Sequence, residues 1–318
     1  MPCELLAASA AARGGSAGPL AGSFRGVRMA RHSLRLEKIS ATLVSTYGEQ
    51  SETSSTVARR MLKQLLYRLY ERQLLTEVLA GPQPRHIGLI QDGHRRYSRD
   101  VGLAKLSEGY RVGAEKTEEV LMWCAELDIP TVTLWALSTD NLARPAGDVA
   151  DILQVIEEKM AEWIDGGLAQ RLGMRIRPIG LLELLPRAAL TALRTVETAT
   201  RHHEKRLLNV AVGYGGRQEI VDAVKGHLRD CLSRGDRPDE ILESLTPEAV
   251  DKYLYTYDCA DPDLIIRTSG EVRLSGFMLW QSAYSEFYFC DVHWPVFRKI
   301  DFLRAIRSYQ RRQRRFGR

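Results

Sequence analysis

Residues able to do chemistry gather in four short stretches, each placed directly after an apolar run. Gln91-Asp92-Gly93-His94-Arg95-Arg96-Tyr97 follows the run from His86 to Ile90. Ser138-Thr139-Asp140-Asn141, and then Arg144, follow the run from Thr131 to Leu137. Gly213-Tyr214-Gly215-Gly216-Arg217 follows Leu207 to Val212, and the stretch from Arg267 to Ser275, with Arg273 inside it, closes the run that starts at Leu264. A carboxylate facing several guanidinium groups, among hydroxyls and glycines, suits a metal-bridged and multiply charged anion, and diphosphate fits that description. Each stretch has a plainer reading when taken alone. Asp92-Gly93 is a turn, Asn141 a helix N-cap, the Arg267 and Arg273 pair a source of weak surface ion pairs, and the glycines an ordinary α/β turn. Their common position beyond strand ends is what carries the inference, as far as a phosphate-binding α/β enzyme.

The elements that must position these residues are legible from periodicity. Strands are expected at His86–Ile90, Thr131–Leu137, Arg175–Ile179, Leu207–Val212, Leu264–Arg267 and Glu286–Cys290. Helices are expected at Glu108–Leu127, Asp148–Leu168, from near Pro186, Gln218–Ser233, Asp239–Tyr255 and Asp301–Arg312. Strands alternating with helices of this length imply a mostly parallel central sheet with helices on both faces. Residues 81–318 read as one catalytic domain. Residues 61–80 read as an N-terminal amphipathic helix, with Leu62, Leu65, Leu66, Leu69 and Leu74 opposite Lys63, Arg68 and Arg72. Residues 1–60, rich in Ala, Gly, Ser and Arg, read as a disordered extension or the product of an upstream start codon, with a transit-like presequence as the other reading.

Composition is permissive. The 318 residues carry a formal charge of +5, and of the 45 basic residues only nine are Lys. Arg suits phosphates and carboxylates, although a GC-rich genome produces the same bias. Five cysteines without a C-x-x-C spacing fit a reducing cytosol. No apolar run reaches the roughly 18 residues of a membrane span, so any membrane contact is peripheral. The Arg-rich end, Arg304 to Arg318, lacks the aromatic interleaving that base stacking needs, and no nucleic-acid partner is expected.

In this order the stretches resemble the cis-prenyltransferase family, also called the undecaprenyl diphosphate synthase family, over roughly residues 85–318. His86 to Tyr97 resembles H-(V/I)-A-x-I-M-D-G-N-x-R-W, and Leu137 to Arg144 resembles F-S-x-E-N-W-x-R. Asn209 to Arg217 resembles N-x-A-x-x-Y-G-G-R, and Asp263 to Gln281 resembles D-L-x-I-R-T-x-G-E-x-R-x-S-x-F-x-L-W-Q. Tyr284 to Glu286 and Arg315 to Gly317 follow the Y-x-E and R-x-G motifs. Within that family the chain resembles actinobacterial short-chain enzymes similar to Z-farnesyl diphosphate synthase.

The resemblance implies a magnesium-dependent homodimer that joins isopentenyl diphosphate to an allylic diphosphate. Asp92 would hold Mg²⁺ against the allylic diphosphate, with Glu286 of its own chain or its partner completing the metal site. Gly93, Arg95 and Arg96 would hold that diphosphate, and Arg267, Arg273 and Ser275 the isopentenyl diphosphate. Asn141 would stand near the reacting carbons as an orienting group. His94, Tyr97, Lys105, Tyr110, Ser138, Thr139, Asp140, Leu142, Arg144 and Leu274 complete the implied substrate contacts, and Arg315 and Gly317 would reach across the dimer. The apolar product would lie in a hydrophobic tunnel between the helices at 108–127 and 148–168.

Several positions depart from the family pattern. His94 replaces the usual Asn, Tyr97 a Trp, and Val272 a His that some members place near the metal. Leu142 stands where long-chain members often carry Trp, and the Leu103–Gly109 loop is one residue longer, with Lys105 as its nearest cation. The expected activity is synthesis of a short Z-prenyl diphosphate. The competing readings are a long-chain polyprenyl synthase, an irregular coupling enzyme, and a non-catalytic scaffold subunit.

Overall fold

The computed structural model describes residues 52–312, with side-chain burial from residue 58 onward. The chain divides into two units, Met1–Gln64 and Leu65–Arg318. In the first, the described residues belong to helix α1, Glu52–Leu79, which starts nine residues before the expected 61. Most of the 1–60 segment, together with Arg315 and Gly317, lies outside the described residues.

In the second unit six strands form one sheet: β1 His86–Ile90, β2 Thr131–Ser138, β3 Met174–Ile179, β4 Arg206–Tyr214, β5 Leu264–Arg267 and β6 Glu286–Phe289. Their order is β3-β4-β2-β1-β5-β6, and every pairing is parallel. Between them run helices α2 His94–Asp100, α3 Leu106–Glu126, α4 Thr139–Leu142, α5 Ala146–Asp165, α6 Leu168–Leu172, α7 Arg187–Thr200, α8 Gly216–Arg234, α9 Pro238–Ser244 and α10 Pro247–Asp251, and α11 Lys299–Arg311 follows β6. All five residues of β1 are buried, as expected for a central parallel strand covered on both faces.

Two expected helices are interrupted, each for a local reason. The helix expected to run to Leu168 ends at Asp165, because Gly166 and Gly167 follow and Gly167 takes φ 68°. The stretch from Asp239 to Tyr255 holds two short helices. Pro247 cannot donate to a continuing helix, so it begins a new one, capped by the Thr246 hydroxyl accepting from the Ala249 N–H at 3.3 Å.

A buried polar row fixes the register of four strands. Arg177 Nε of β3 donates to Asn209 Oδ1 of β4 at 2.9 Å, and Asn209 Nδ2 donates to Thr133 Oγ1 of β2 at 2.9 Å. Thr133 Oγ1 is 2.8 Å from His86 Nε2 of β1. A one-residue slip would strand all of these groups without partners. Burial pushes the His86 imidazole down to about 4, so it is neutral in this row at physiological pH.

The strand order sets where a ligand can enter. From β1 the chain moves outward through β2 to one side, and later returns to β5 on the other. Loops leaving the carboxyl ends of β1 and β5 therefore part in opposite directions and leave a crevice between them. Ile90 is in register with both Arg267 and Trp135, so the residues just beyond it share a rim with the ends of β5 and β2.

Candidate active site

Asp92 lies two residues past the end of β1, at the switch point. Its Oδ2 accepts from Arg267 Nη2 at 2.8 Å, and its Oδ1 accepts from the Gly93 N–H at 2.7 Å. Its main chain is fixed by Thr268, whose hydroxyl donates to Asp92 O at 2.8 Å and accepts from Asp92 N at 3.0 Å. Burial alone would raise the Asp92 carboxyl. The bond and charge of Arg267, the Gly93 N–H and the Arg96 charge outweigh it and hold the acid below the ordinary aspartate range. Gly93 begins α2 at φ 103°, and a Cβ there would stand 2.6 Å from His293 Nδ1. Both facts demand glycine.

Arg267 is almost fully buried, and its guanidinium ties the two loops together. Nη2 reaches Asp92, while Nη1 donates to Ser275 Oγ at 2.8 Å and to the Arg273 carbonyl. Its Nε is buried and has no hydrogen-bond partner. Around it, Arg96 donates to Ser269 O at 3.1 Å and to Glu271 Oε1 at 3.2 Å, and Arg273 pairs with Glu271 and donates to Ser275 Oγ at 3.2 Å. Asp92, Arg96, Arg267, Arg273 and Ser275 thus form one connected cluster. Its loop is wound tightly, with Ser269, Gly270, Ser275, Gly276 and Met278 all at positive φ.

The second rim segment is built on a cap. Ser138 is the N-cap of α4, accepting from the Asn141 N–H at 3.0 Å, so Asn141 sits at N3 and not at the N-cap expected of it. With its carboxamide oxygen turned to Arg144, Asn141 accepts from Nε at 3.2 Å and Nη2 at 2.7 Å. Asn141 therefore orients Arg144. The Arg144 charge acts on both His94 and Tyr110, which brings this segment to the same crevice.

His94 opens α2, and its ring lies 5.3 Å from that of Tyr110. Burial first, then the Arg144 charge, push its imidazole down to about 4, against Asp92 and the Gln91 carbonyl, so the ring is neutral near pH 7. Space for it comes from Gly113, where any Cβ would collide with His94 Nε2. Gly113→Ala is expected to cost about 1–3 kcal/mol by overpacking, and His94→Asn in the same chain to restore most of the loss. Urea midpoints of the four proteins in this cycle check the coupling. The Tyr110 hydroxyl is buried without a partner, and burial raises its pKa.

Other expected residues fall differently. Leu142 and Leu274 are partly buried and pack on core clusters, and Thr139 packs under Gly215. Tyr97 is partly buried, its N–H donating to Gly93 O at 2.8 Å, while Arg95, Lys105 and Asp140 are exposed. No bond joins Lys105 to the Asp92 cluster. Glu286 does not join Asp92 within one chain. It begins β6, in register with Leu264 at the amino end of β5, roughly 10 Å along the strands from Arg267 at about 3.3 Å per residue. There it accepts from Arg312 Nη1 at 2.5 Å. In parallel strands that is the rim opposite Asp92, which corrects the expectation that the chain's own Glu286 could complete the site.

Three residues absent from the expected set belong to it. Glu271 bridges Arg96 and Arg273, and Thr268 staples Asp92. His293 packs on Gly93, with its Nδ1 3.1 Å from Ser269 Oγ and its Nε2 3.3 Å from Asp100 Oδ2. Glu271 stood between two motif arginines and was open to inference on charge alone. His293, beyond β6, had no signal.

Residues 90–317 match the family model described as putative undecaprenyl diphosphate synthase. An isoprenyl transferase of Thermus thermophilus is 52% identical over 267 residues, spanning 82% of this chain and all of that protein. The (2Z,6E)-farnesyl diphosphate synthase of Thermobifida fusca is 51% identical over 257 residues, spanning 81% of this chain and 98% of that one. Among solved structures, lavandulyl diphosphate synthase from Lavandula x intermedia, in complex with dimethylallyl diphosphate, aligns with a TM-score of 0.69 at 30% identity, covering 74% of this chain and 99% of that chain.

Proposed function

The chain belongs to the undecaprenyl diphosphate synthase family of cis-isoprenyl diphosphate synthases, and from that premise we propose that it condenses isopentenyl diphosphate with a short allylic diphosphate, geranyl or similar, to give a short Z-prenyl diphosphate such as Z,E-farnesyl diphosphate. The carrying observation is Arg267, which joins the Asp92 turn to the Arg273–Ser275 loop and so brings two anion-binding loops to one crevice.

In this reading the Gly93, Arg95 and Arg96 side holds the allylic diphosphate, and Arg267, Arg273 and Ser275 hold the isopentenyl diphosphate. The C1–oxygen bond of the allylic partner breaks, C4 of isopentenyl diphosphate bonds to C1, and a proton leaves C2. One diphosphate and one proton are released per bond formed. Arg96 lies where it can meet charge gathering on the leaving group. Asn141 holds Arg144 in place and is no base, since an amide is too weak, so the departing diphosphate takes the proton. The buried Arg267 Nε and Tyr110 hydroxyl, both without protein partners, are groups that a bound substrate would satisfy.

Among the described residues no group of three or more His, Cys, Asp or Glu could hold a metal alone. A single carboxylate such as Asp92 nevertheless suits Mg²⁺, which commonly takes one or two carboxylates and fills its shell with phosphate oxygens and water. When bound, Mg²⁺ would supply Lewis-acid stabilisation of the leaving diphosphate. We read the second carboxylate as the partner subunit's Glu286, which is why we read the enzyme as a homodimer. We place it in the cytoplasm with peripheral membrane contact. Four free cysteines among the described residues accord with a reducing compartment, and no described helix is long and apolar enough to cross a membrane.

The short product is supported by the similarity to a (2Z,6E)-farnesyl diphosphate synthase and by Leu142, a compact aliphatic packed on the core. Incubation with geranyl diphosphate, labelled isopentenyl diphosphate and Mg²⁺, followed by chromatography, is expected to give a fifteen-carbon Z product. A ladder of long products would establish the polyprenyl reading instead. No turnover, with stimulation of another synthase subunit, would establish the scaffold reading.

A further inference from the structure

The glycine stretch after β4 is the motif that the site does not absorb. Arg217 is exposed, and no bond joins this stretch to Asp92 or Arg267. Gly213 meets Leu181 and Gly215 meets Thr139, and further contacts run to the turn at residues 274–278. Gly216 N donates to Gly276 O at 2.8 Å, and a Cβ at Gly216 would stand 2.6 Å from that oxygen. Met278 N donates to the Tyr214 hydroxyl at 3.1 Å. Phe277, fully buried, stacks on Trp135 at 5.3 Å and meets the Tyr214 ring edge-on at 6.1 Å. Ser275 and Met278 hold φ 53° and φ 43°, which a free chain with these side chains would leave. Something must hold the turn in that shape.

Beneath Tyr214 lies Glu219, 1% exposed. Its carboxylate accepts from the Tyr214 hydroxyl, from Tyr255 N at 3.0 Å and from Gln281 Nε2 at 2.9 Å, and Gln281 also donates to Thr256 at 3.1 Å. We propose that Glu219 is a positioning residue for the isopentenyl diphosphate loop: it orients the Tyr214 hydroxyl, which fixes Met278 N and with it the turn that carries Arg273 and Ser275.

Burial raises the Glu219 carboxyl and its three donors pull it back; in its ionised form it only accepts, so it receives all three and leaves the Tyr214 oxygen lone pairs free for Met278. A carboxamide would turn an NH₂ toward one of those donors. That asymmetry explains an acid buried with no cation bonded to it, in a protein otherwise rich in arginine. The latch acts on one substrate only, because its contacts reach the 274–278 turn and not the α2 side that faces the allylic diphosphate. The inference rests on the site reading above, and the test separates the two.

Steady-state kinetics with isopentenyl and geranyl diphosphates are measured on the full chain and on Tyr214→Phe, Glu219→Gln and Arg273→Ala. Tyr214→Phe and Glu219→Gln are expected to raise KM for isopentenyl diphosphate about tenfold, with KM for geranyl diphosphate changed less than twofold. Arg273→Ala raises the same KM directly. If Arg273→Ala shows the rise and neither latch variant does, or if the latch variants raise both KM values in parallel, the latch is wrong while the site reading stands. If Arg273→Ala leaves isopentenyl diphosphate binding untouched, the loop assignment fails and the latch with it. Should the variants not fold, hydrogen exchange of the wild-type chain decides. Protected Met278 and Tyr255 amides support the latch, and fast exchange at either overturns it.

Discussion

Asp92→Asn is expected to lower kcat by about 10²- to 10³-fold while the protein stays folded. The asparagine oxygen can still accept from Arg267 Nη2, while its NH₂ takes the place of Oδ1 and gives up only the bond from the Gly93 N–H, so the turn, held also by Thr268, keeps its geometry. What is lost is the negative charge that would hold a divalent cation against the leaving diphosphate. Lewis-acid stabilisation of that kind contributes several kcal/mol, and 3–4 kcal/mol corresponds to about that rate loss. Asp92→Ala differs in kind, because it also removes the carboxylate partner of a guanidinium that is nearly buried. Breaking such a pair from one side costs about 3 kcal/mol or more. Urea unfolding followed by circular dichroism should therefore separate the two variants while product assays do not. Full turnover in Asp92→Asn would remove Asp92 from the chemistry.

The alternation of apolar runs and amphipathic stretches made the sheet and its rim legible, because parallel strands covered on both faces must be continuously apolar. Charge and glycine content then marked the loops that leave it. What stayed hidden was hidden by tertiary contact. Helix α2 follows a glycine at φ 103°, a conformation that no periodicity reveals, so His94 to Asp100 read as loop. Glu286 was placed by its motif, yet its position at the amino end of β6 follows only from strand register. The Gly213–Arg217 stretch reads as an ordinary α/β turn, because glycines that permit close backbone approach are the same whether the neighbour is a ligand or another loop. Here the neighbour is Gly276 O.

The departures from the family pattern are local compensations. His94 is accommodated because Gly113 leaves room, and it is neutral because it is desolvated beside Arg144. Val272 is 75% exposed, so replacing a histidine there removes no packing. Neither change touches the Asp92, Arg267 and Ser275 connection.

Arg267 carries the second large effect. Its planar guanidinium serves three acceptors at once: Asp92 Oδ2, Ser275 Oγ and the Arg273 carbonyl. A lysine ammonium is a point charge on a flexible stem and cannot span that set. Arg267→Lys is expected to lower kcat/KM for isopentenyl diphosphate by about 10²- to 10³-fold, the equivalent of roughly 3–4 kcal/mol of transition-state binding. Arg267→Gln tests the electrostatic half of the same arrangement. In the wild type, Asp92 titrates below its unfolded value of about 3.9. Its contribution to stability is thus complete above that value and is lost as pH falls through the lower folded value. Without the Arg267 charge, less opposes burial and the carboxyl titrates higher than in the wild type, so the acid unfolding limb should move to higher pH when measured without divalent cation. An unmoved limb, together with unimpaired isopentenyl diphosphate use, would mean that the guanidinium holds neither the acid nor the substrate.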